Sequence, residues 1–308
     1  MPMEPLTSMD LVVADKQAIA TDIVRLVLRH AAGQMLPGAE PGAHIALDLD
    51  GRVRRYSLLH TGPALDHYSI AVLRTAQSQG GSQFIHDQLA VGDPVRVLEL
   101  AHEFALQPDA PYTLLIGGGI GITPLLSMAE HLQQAGQRFA LHQIVHDATR
   151  QYPLAPGLPG QTHIGRSSLD LPGLLAAQVP GSQVYVCGPA GLVGAVRAAA
   201  AQLGWAPERI HSESFGAAAD ASDGPLRVTL VQSGQRIDVA PGQSLLDALL
   251  AAGAWTGYEC RRGVCGACLT EVVSGTPIHR DSIAPALRGH AMCTCVSWAE
   301  GPELALNL

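Results

Sequence analysis

Through the first third of the chain, apolar and polar residues alternate with a period of two. Leu11-Val12-Val13, Ile23–Leu28, His44–Leu47, Tyr68–Leu73 and Val95–Leu98 each read as a short strand, and turns rich in Gly and Pro separate them. Strands that succeed one another without helices predict an antiparallel β-barrel over residues 1–108. The period then changes. Tyr112–Ile116 is a continuous apolar run, Thr123–Gln134 places Leu126, Met128, Ala129 and Leu132 at helical spacing, Phe139–Val145 and Val184–Val186 are further strands, and Ala190–Leu203 is a second helix. Strand and helix in alternation predict a parallel α/β sheet over residues 109–215.

Residues 216–224 contain no core-forming side chain larger than alanine and read as a linker. Beyond it, Leu226–Val231 and Arg236–Val239 flank Ser233-Gly234 as a hairpin, and Ser244 is placed to cap a helix over Leu245–Ala251. The pattern thus predicts a multidomain chain: a β-barrel (1–108), an α/β parallel-sheet domain (109–215), a linker (216–224) and a smaller α+β domain (225–308). There are no internal repeats.

Composition narrows the function classes. With 308 residues, 47% of them hydrophobic and 15% charged, the chain can bury several cores, and general disorder is excluded. The longest apolar stretch, Tyr112 to Leu126, is broken by Gly117, Gly118, Gly119 and Gly121, so no membrane span is expected. Met1 to Lys16 carries Glu4, Asp10 and Asp15 and no apolar core, so a signal peptide is not expected and a cytoplasmic location is. The net charge is −8, and the basic residues, Lys16 and eighteen arginines, are scattered, which argues against a nucleic-acid partner.

Five of the six cysteines crowd the last fifty residues. Residues 259–269 read Glu-Cys-Arg-Arg-Gly-Val-Cys-Gly-Ala-Cys-Leu, so Cys260, Cys265 and Cys268 have the spacing Cys-x4-Cys-x2-Cys, and Cys295 follows 27 residues after Cys268. That is the plant-type [2Fe–2S] ligand pattern. Four thiolates must converge on two irons, and Gly263 and Gly266 let the loop wrap closely enough to turn backbone amides toward the sulfides. A zinc site would more often use paired Cys-x2-Cys units, and buried structural cysteines are the plain alternative. Cys293, two residues before Cys295, lies on the same face if this segment is a strand, which makes it a competing ligand.

Three further strings stand at strand ends. Arg54-Arg55-Tyr56-Ser57 closes one strand of the barrel, and Gly80-Gly81-Ser82 follows another. Gly117-Gly118-Gly119-Ile120-Gly121-Ile122-Thr123-Pro124 lies between a strand and a helix, and Val186-Cys187-Gly188-Pro189 ends a later strand. Taken singly each has an ordinary reading: surface residues for Arg54 and Tyr56, a plain turn for Gly80-Gly81, a small buried apolar side chain for Cys187. A strand–glycine–helix turn is nevertheless the physical arrangement that admits a pyrophosphate to bare amides.

Residues 226–308 resemble a plant-type ferredoxin domain of the β-grasp kind. Joined to the preceding strings, the chain resembles the phthalate dioxygenase reductase family, the class IA reductases of Rieske oxygenases, in which vanillate demethylase reductases have the same domain order. The resemblance covers nearly the whole chain. It implies FMN held by Arg54, Tyr56, Ser57, Ala71, Val72, Gly80, Gly81, Ser82 and Phe215, with Arg54 on the phosphate, Tyr56 against the flavin ring and Ser57 near N5. It implies NADH held by Gly118, Gly119, Ile120, Gly121, Thr123, Pro124, Asp147, Cys187, Gly188 and Pro189. It makes Cys260, Cys265, Cys268 and Cys295 the cluster ligands, because Cys295-Val296-Ser297 matches the context of the fourth ligand and Cys293 does not.

The implied activity is an oxidoreductase acting as a monomer, with electrons passing from NADH through FMN and a [2Fe–2S] cluster to a terminal Rieske-type oxygenase of aromatic-compound oxidation or demethylation. Such a chain needs positioning rather than an acid or base residue. Three departures qualify the match. Arg261 and Arg262 are cations where relatives commonly carry acidic or polar residues, and Gln79 stands where relatives often have arginine. In place of a His-Tyr-x-x-Arg-Ser string the chain has His142 to Asp147, so Asp147 would meet the adenosine ribose and repel a 2′-phosphate, unless it simply opens a solvated loop. Phe215 has the alternative of an ordinary buried strand end. A stand-alone NADH:acceptor reductase and an iron–sulfur redox sensor are the competing functions.

Overall fold

The computed structural model describes residues 8–75, 80–102, 104–165, 168–213, 223–254, 256–258, 263, 266–281 and 287–308. Cys260, Cys265, the Arg261-Arg262 pair, Gln79, Phe215 and most of the 216–224 segment lie outside the described residues. The chain divides into two compact units, Met1–Ser212 and Glu213–Leu308.

In the first unit, β1 (Met9–Ala20), β2 (Ile23–Arg29), β4 (His44–Leu49), β5 (Arg52–Ser57), β7 (Tyr68–Leu73) and β8 (Pro94–Ala101) form a six-stranded antiparallel sheet in the order β5-β4-β8-β1-β2-β7. A bridge from Leu58, just past β5, to Ile70 of β7 brings the two edges together, so the sheet curls into the expected barrel. Two short strands, β3 (Leu36–Ala39) and β6 (Gly62–Leu65), pair beside it. The alternation seen in the sequence is the burial pattern: in β2, Val24, Leu26 and Leu28 point into a core shared with Leu11, Val13, Ile45, Leu47, Tyr68 and Ile70. A short helix, α1 (Gly81–Asp87), follows Gly80, whose φ of 91° lets the chain turn into it.

The second sheet of this unit has the order β11-β10-β9-β12-β13. Its members are β9 (Thr113–Gly118), β10 (Phe139–Val145), β11 (Gly160–Ile164), β12 (Gln183–Cys187) and β13 (Ile210–Glu213). The pairs β9–β10, β10–β11 and β9–β12 are parallel. All six residues of β9 are buried, the continuous apolar run of a strand covered on both faces. The helices are α2 (Ile122–Gln134), α3 (Leu171–Ala176) and α4 (Ala190–Gln202); α2 packs with Leu115 and Leu141, and α4 with Leu114, Ile116 and Val186.

The Glu213–Leu308 unit carries a five-stranded mixed sheet ordered β15-β14-β18-β16-β17. Its strands are β14 (Leu226–Leu230), β15 (Arg236–Val239), β16 (Leu269–Ile278), β17 (Ala291–Cys293) and β18 (Trp298–Leu306). The sheet grips α5 (Leu245–Ala251), whose Leu245, Ala248 and Leu249 pack against Val228, Leu230, Trp298 and Leu304. Ser244 caps that helix as expected, its Oγ accepting from Asp247 N–H at 3.0 Å. No helix among the described residues is long and apolar enough to cross a membrane.

Candidate functional site

The glycine turn and the Cys187 turn meet because β9 and β12 are neighbours in register, with Cys187 opposite Gly117. The meeting leaves no room for side chains. A Cβ on Gly121 would lie 2.4 Å from Cys187 O, one on Gly118 would lie 2.9 Å from Pro189 Cδ, and one on Gly188 would lie 2.9 Å from Gly118 Cα. Gly119 differs: its φ is +55° and the position of its missing side chain is open. The turn therefore presents a bare backbone face at the start of α2, as a pyrophosphate requires. Thr123 Oγ1 donates to Ile120 O at 2.9 Å and steadies the turn, with Pro124 in the first turn of the helix. Cys187 is fully buried, its side chain packed with Leu115, Ile122 and Tyr185 beneath this face.

Asp147 lies just past the end of β10. Its Oδ1 accepts from Thr149 N–H at 3.0 Å and from the Thr149 hydroxyl, and these bonds hold its carboxyl below the ordinary range. Its Oδ2 is 3.7 Å from Arg150 Nε, while Arg150 Nη2 is 2.9 Å from Asp22 Oδ2. One oxygen thus caps a turn and the other shares an arginine with a second carboxylate, so the local charge leans negative.

On the barrel, β5 sets Arg52, Arg54 and Tyr56 on one face and Arg55 on the other, where Arg55 Nη2 meets Glu99 Oε2 at 3.3 Å. Arg54 lies across Gly81: a Cβ there would fall 2.7 Å from Arg54 Cγ and 3.0 Å from its Nε. Arg54 Nη1 also donates to Val53 O at 2.8 Å. Tyr56 packs at the edge of the barrel core, and burial pushes its phenol up, so it stays neutral. Ser57 is buried at the end of the strand opposite His44. Ser82 Oγ lies 3.1 Å from Thr75 Oγ1 and accepts from Thr75 N–H at 3.3 Å. Val72 is part of the barrel core, and its carbonyl lies 3.0 Å from His86 Nε2.

Ala71 does something else. With Ile23 and Leu59 it forms an apolar cluster against which Ile120, Leu126 and Tyr152 pack. Candidate flavin residues on β7 and candidate nucleotide residues in the glycine turn are therefore neighbours. Thr21 N–H donating to Thr149 O at 2.9 Å ties the β1–β2 turn to the segment after β10, and Gly42 N–H donating to Ser127 Oγ at 3.1 Å ties the approach to β4 to α2.

In the Glu213–Leu308 unit, β16 and β17 pair so that Leu269 stands opposite Cys293. After Cys293 the chain does not continue as a strand. It turns, with Ser297 N–H donating to Cys293 O at 3.0 Å, and Cys295 comes to lie in the same buried cluster as Cys268, Cys293, Leu246 and Val296. The Cys293 and Cys295 thiols beside Cys268 favour its thiolate, while the neighbouring Cys268 sulfur together with burial pushes the Cys293 thiol up. Gly263, at φ +72°, is pressed against this region, since a Cβ there would lie 2.4 Å from Val296 Cγ2 and 2.9 Å from Asp281 Cα.

Sequence reasoning missed Asp281. Its buried carboxylate accepts from Cys293 N–H at 3.0 Å and from the Ser297 hydroxyl at 2.6 Å and so braces the turn between them. Its partners lie 12 and 16 residues away, where no local pattern marks them. The contacts of Thr75 with Ser82 and of Arg52 with Gly80 were also missed; strand alternation with Arg54 was a usable signal for the placement of Arg52.

The described residues fit the groups that the sequence implied. Cys268, Cys293 and Cys295 share one buried cluster, an arginine lies along a glycine that has no space for a side chain, and a bare turn opens at a helix start. These features define an oxidoreductase with a flavin and pyridine-nucleotide part and a separate iron–sulfur part.

The comparisons agree. Residues 228–300 match the 2Fe-2S iron-sulfur cluster binding domain, Fer2. The chain is 36% identical to vanillate O-demethylase oxidoreductase of Pseudomonas sp. (strain HR199 / DSM 7063), over 97% of this chain and 99% of that one. It is 35% identical to tetrachlorobenzoquinone reductase of Sphingobium chlorophenolicum, over 99% of each. Among solved structures, phthalate dioxygenase reductase, described as a modular structure for electron transfer from pyridine nucleotides to [2Fe–2S], superposes with a TM-score of 0.75 at 32% identity, over 98% of both chains. The chain belongs to the phthalate dioxygenase reductase family.

Proposed function

We propose that this protein is the reductase component that carries electrons from NADH, through FMN and a [2Fe–2S] cluster, to a terminal Rieske-type oxygenase acting on an aromatic or similar compound. The observation that carries this reading is the shared cluster of Ala71 and Ile120, which puts the candidate flavin strand against the candidate nicotinamide turn. A bound flavin accepts a hydride as an electron pair and can release the electrons singly. This chain's residues supply the positioning: the close-packed turns at Gly118, Gly121 and Gly188 hold one reactant, and Arg54 with Gly81 holds the other.

The choice of NADH over NADPH rests on Asp147 and Asp22 outweighing Arg150 where a 2′-phosphate would sit. In this reading residues 1–108 hold FMN and residues 109–215 hold NADH. Residues 216–224 link them to the cluster domain, 225–308, whose ligands are Cys260, Cys265, Cys268 and Cys295. A monomer in the cytoplasm, where thiols stay reduced, completes it. The oxygenase partner is supported by relatives named as reductase subunits of oxygenase systems, such as the 3-chlorobenzoate-3,4-dioxygenase reductase subunit of Comamonas testosteroni at 33% identity.

The test is reconstitution. Purified protein, NADH and a candidate Rieske-type oxygenase should form hydroxylated or demethylated product, and no product should form when either protein is left out. A second reading, direct reduction of a small acceptor, is favoured by the similarity to tetrachlorobenzoquinone reductase. It predicts rapid NADH-dependent quinone reduction with no second protein.

A further inference from the structure

Strand β5 carries three arginines, at 52, 54 and 55, and their surroundings differ. Arg55 faces away from the other two and is matched by Glu99 at 3.3 Å. Arg54 lies along Gly81. Arg52 lies along Gly80, where a Cβ would fall 3.0 Å from Arg52 Nε and 3.4 Å from its Cζ. Two guanidinium-bearing side chains from one strand face therefore lie side by side across consecutive glycines. Gly80 at φ +91° is the residue at which the chain turns into α1.

Arg52 has one carboxylate nearby, Asp50 Oδ2, 3.5 Å from its Nη1. Both side chains are well exposed, at 45% and 74%, so the pair is weak and readily exchanged for a stronger anion. Along an extended strand Arg52 stands about 13 Å from Tyr56, a length comparable to a flavin ring with its ribityl tail. A phosphate dianion offers several acceptor oxygens and is matched best by more than one guanidinium.

We infer that Arg52 is a second phosphate-binding cation of the flavin site, which with Arg54 grips the 5′-phosphate of FMN across Gly80-Gly81. Tyr56 and Ser57 recognise the ring end, and the arginine pair recognises the phosphate end. The inference rests on the reading of this face as the flavin site.

The experiment separates the two ends of the ligand. Protein stripped of flavin is titrated with FMN and with riboflavin, following quenching of flavin fluorescence, for the wild type, Arg52→Ala and Arg52→Lys. Wild type should bind FMN far more tightly than riboflavin. Arg52→Ala should raise the Kd for FMN about 5–10-fold and leave that for riboflavin unchanged, and Arg52→Lys should fall between. The Arg52→Ala penalty should shrink at high salt, because the contact is exposed. An Arg52→Ala protein whose Kd for FMN stays within about twofold of wild type overturns the inference while leaving the flavin site in place. Equal weakening toward FMN and riboflavin also overturns it, since that would mark Arg52 as packing for Gly80. A wild type that binds riboflavin as tightly as FMN removes the phosphate site altogether, and Arg52's role with it.

Discussion

Replacing Gly121 by alanine isolates the closeness of the two candidate nucleotide turns from every other property of the glycine. Its φ is −63°, an ordinary right-handed value, so alanine has no backbone penalty there. The added methyl would, however, sit 2.4 Å from Cys187 O, 2.6 Å from Cys187 C and 2.7 Å from Gly188 N. All three are backbone atoms at the end of a central strand, which cannot swing aside as a side chain tip can. Restoring normal contact needs a separation of about 1 Å between the start of α2 and the Cys187-Gly188 turn. Overpacking of this kind costs about 1–3 kcal/mol, which for a unit of this size lowers Tm by about 2–12 °C. The kinetic effect should be larger, because a misplacement of about 1 Å can cost roughly 100-fold in a reaction that depends on orientation. Stopped-flow mixing with NADH should therefore show flavin reduction slowed about 100-fold, with flavin content near wild type. Gly136→Ala is the control: its φ of +65° makes alanine strained, but the space is open and the residue lies beyond the far end of α2, so Tm should fall slightly and flavin reduction should not change. Wild-type rates of flavin reduction in a folded Gly121→Ala protein would refute the claim that these turns position the nicotinamide.

Cys268→Ser and Cys295→Ser should each lose iron and sulfide while NADH still reduces the flavin, and Cys293→Ser should retain the cluster; iron loss in Cys293→Ser without loss in Cys295→Ser would reverse the assignment of the fourth ligand. Asp147→Asn keeps an oxygen to cap the Thr149 turn but removes the charge, so the ratio of kcat/KM for NADH to that for NADPH should fall about fivefold, the scale of an exposed charge contact. An unchanged ratio would take Asp147 out of the nucleotide site. His142 is buried and lies 3.0 Å from His163, and burial, then the neighbouring imidazole, lowers its pKa from 6.5 to about 4. Between those values the unfolded chain takes up a proton that the native protein refuses, so stability should fall as the pH drops from about 6.5 to about 4. Thermal melts of His142→Gln should show a flatter pH dependence over that window.

Much of the fold was legible because its strands and helices carry strong periodicity. The alternation in β2 and β7, the unbroken apolar run of β9 and the spacing in α2 each survive as buried faces. What escaped was short or marginal. α1 and α3 are short and each contains a glycine, Gly81 and Gly173, that breaks the helical pattern, unlike the equally short α5, and β11 is an edge strand, Gly-Gln-Thr-His-Ile, in which no residue is buried. The cysteine spacing pointed to an iron–sulfur domain, but the relation of Cys293 to Cys295 was open until the turn after β17 placed both in one buried cluster with Cys268. Alternation would have placed Cys293 and Cys295 on one strand face; the Ser297-to-Cys293 hydrogen bond brings them together by another route. The glycine string read as a nucleotide turn, yet only the register of β9 with β12 shows why Gly118, Gly121 and Gly188 exclude a side chain, since each meets a residue distant in sequence.

The central claim is that NADH electrons reach the [2Fe–2S] cluster through the flavin within this one chain. Anaerobic titration of the holoprotein with NADH, followed in the same sample by visible absorption and by low-temperature EPR, tests it directly. The account predicts bleaching of both the flavin and the iron–sulfur bands, with a one-electron [2Fe–2S] signal growing as NADH is consumed. A flavin that bleaches while the cluster stays oxidised, or a cluster that NADH reduces equally well after the flavin is removed, would contradict it.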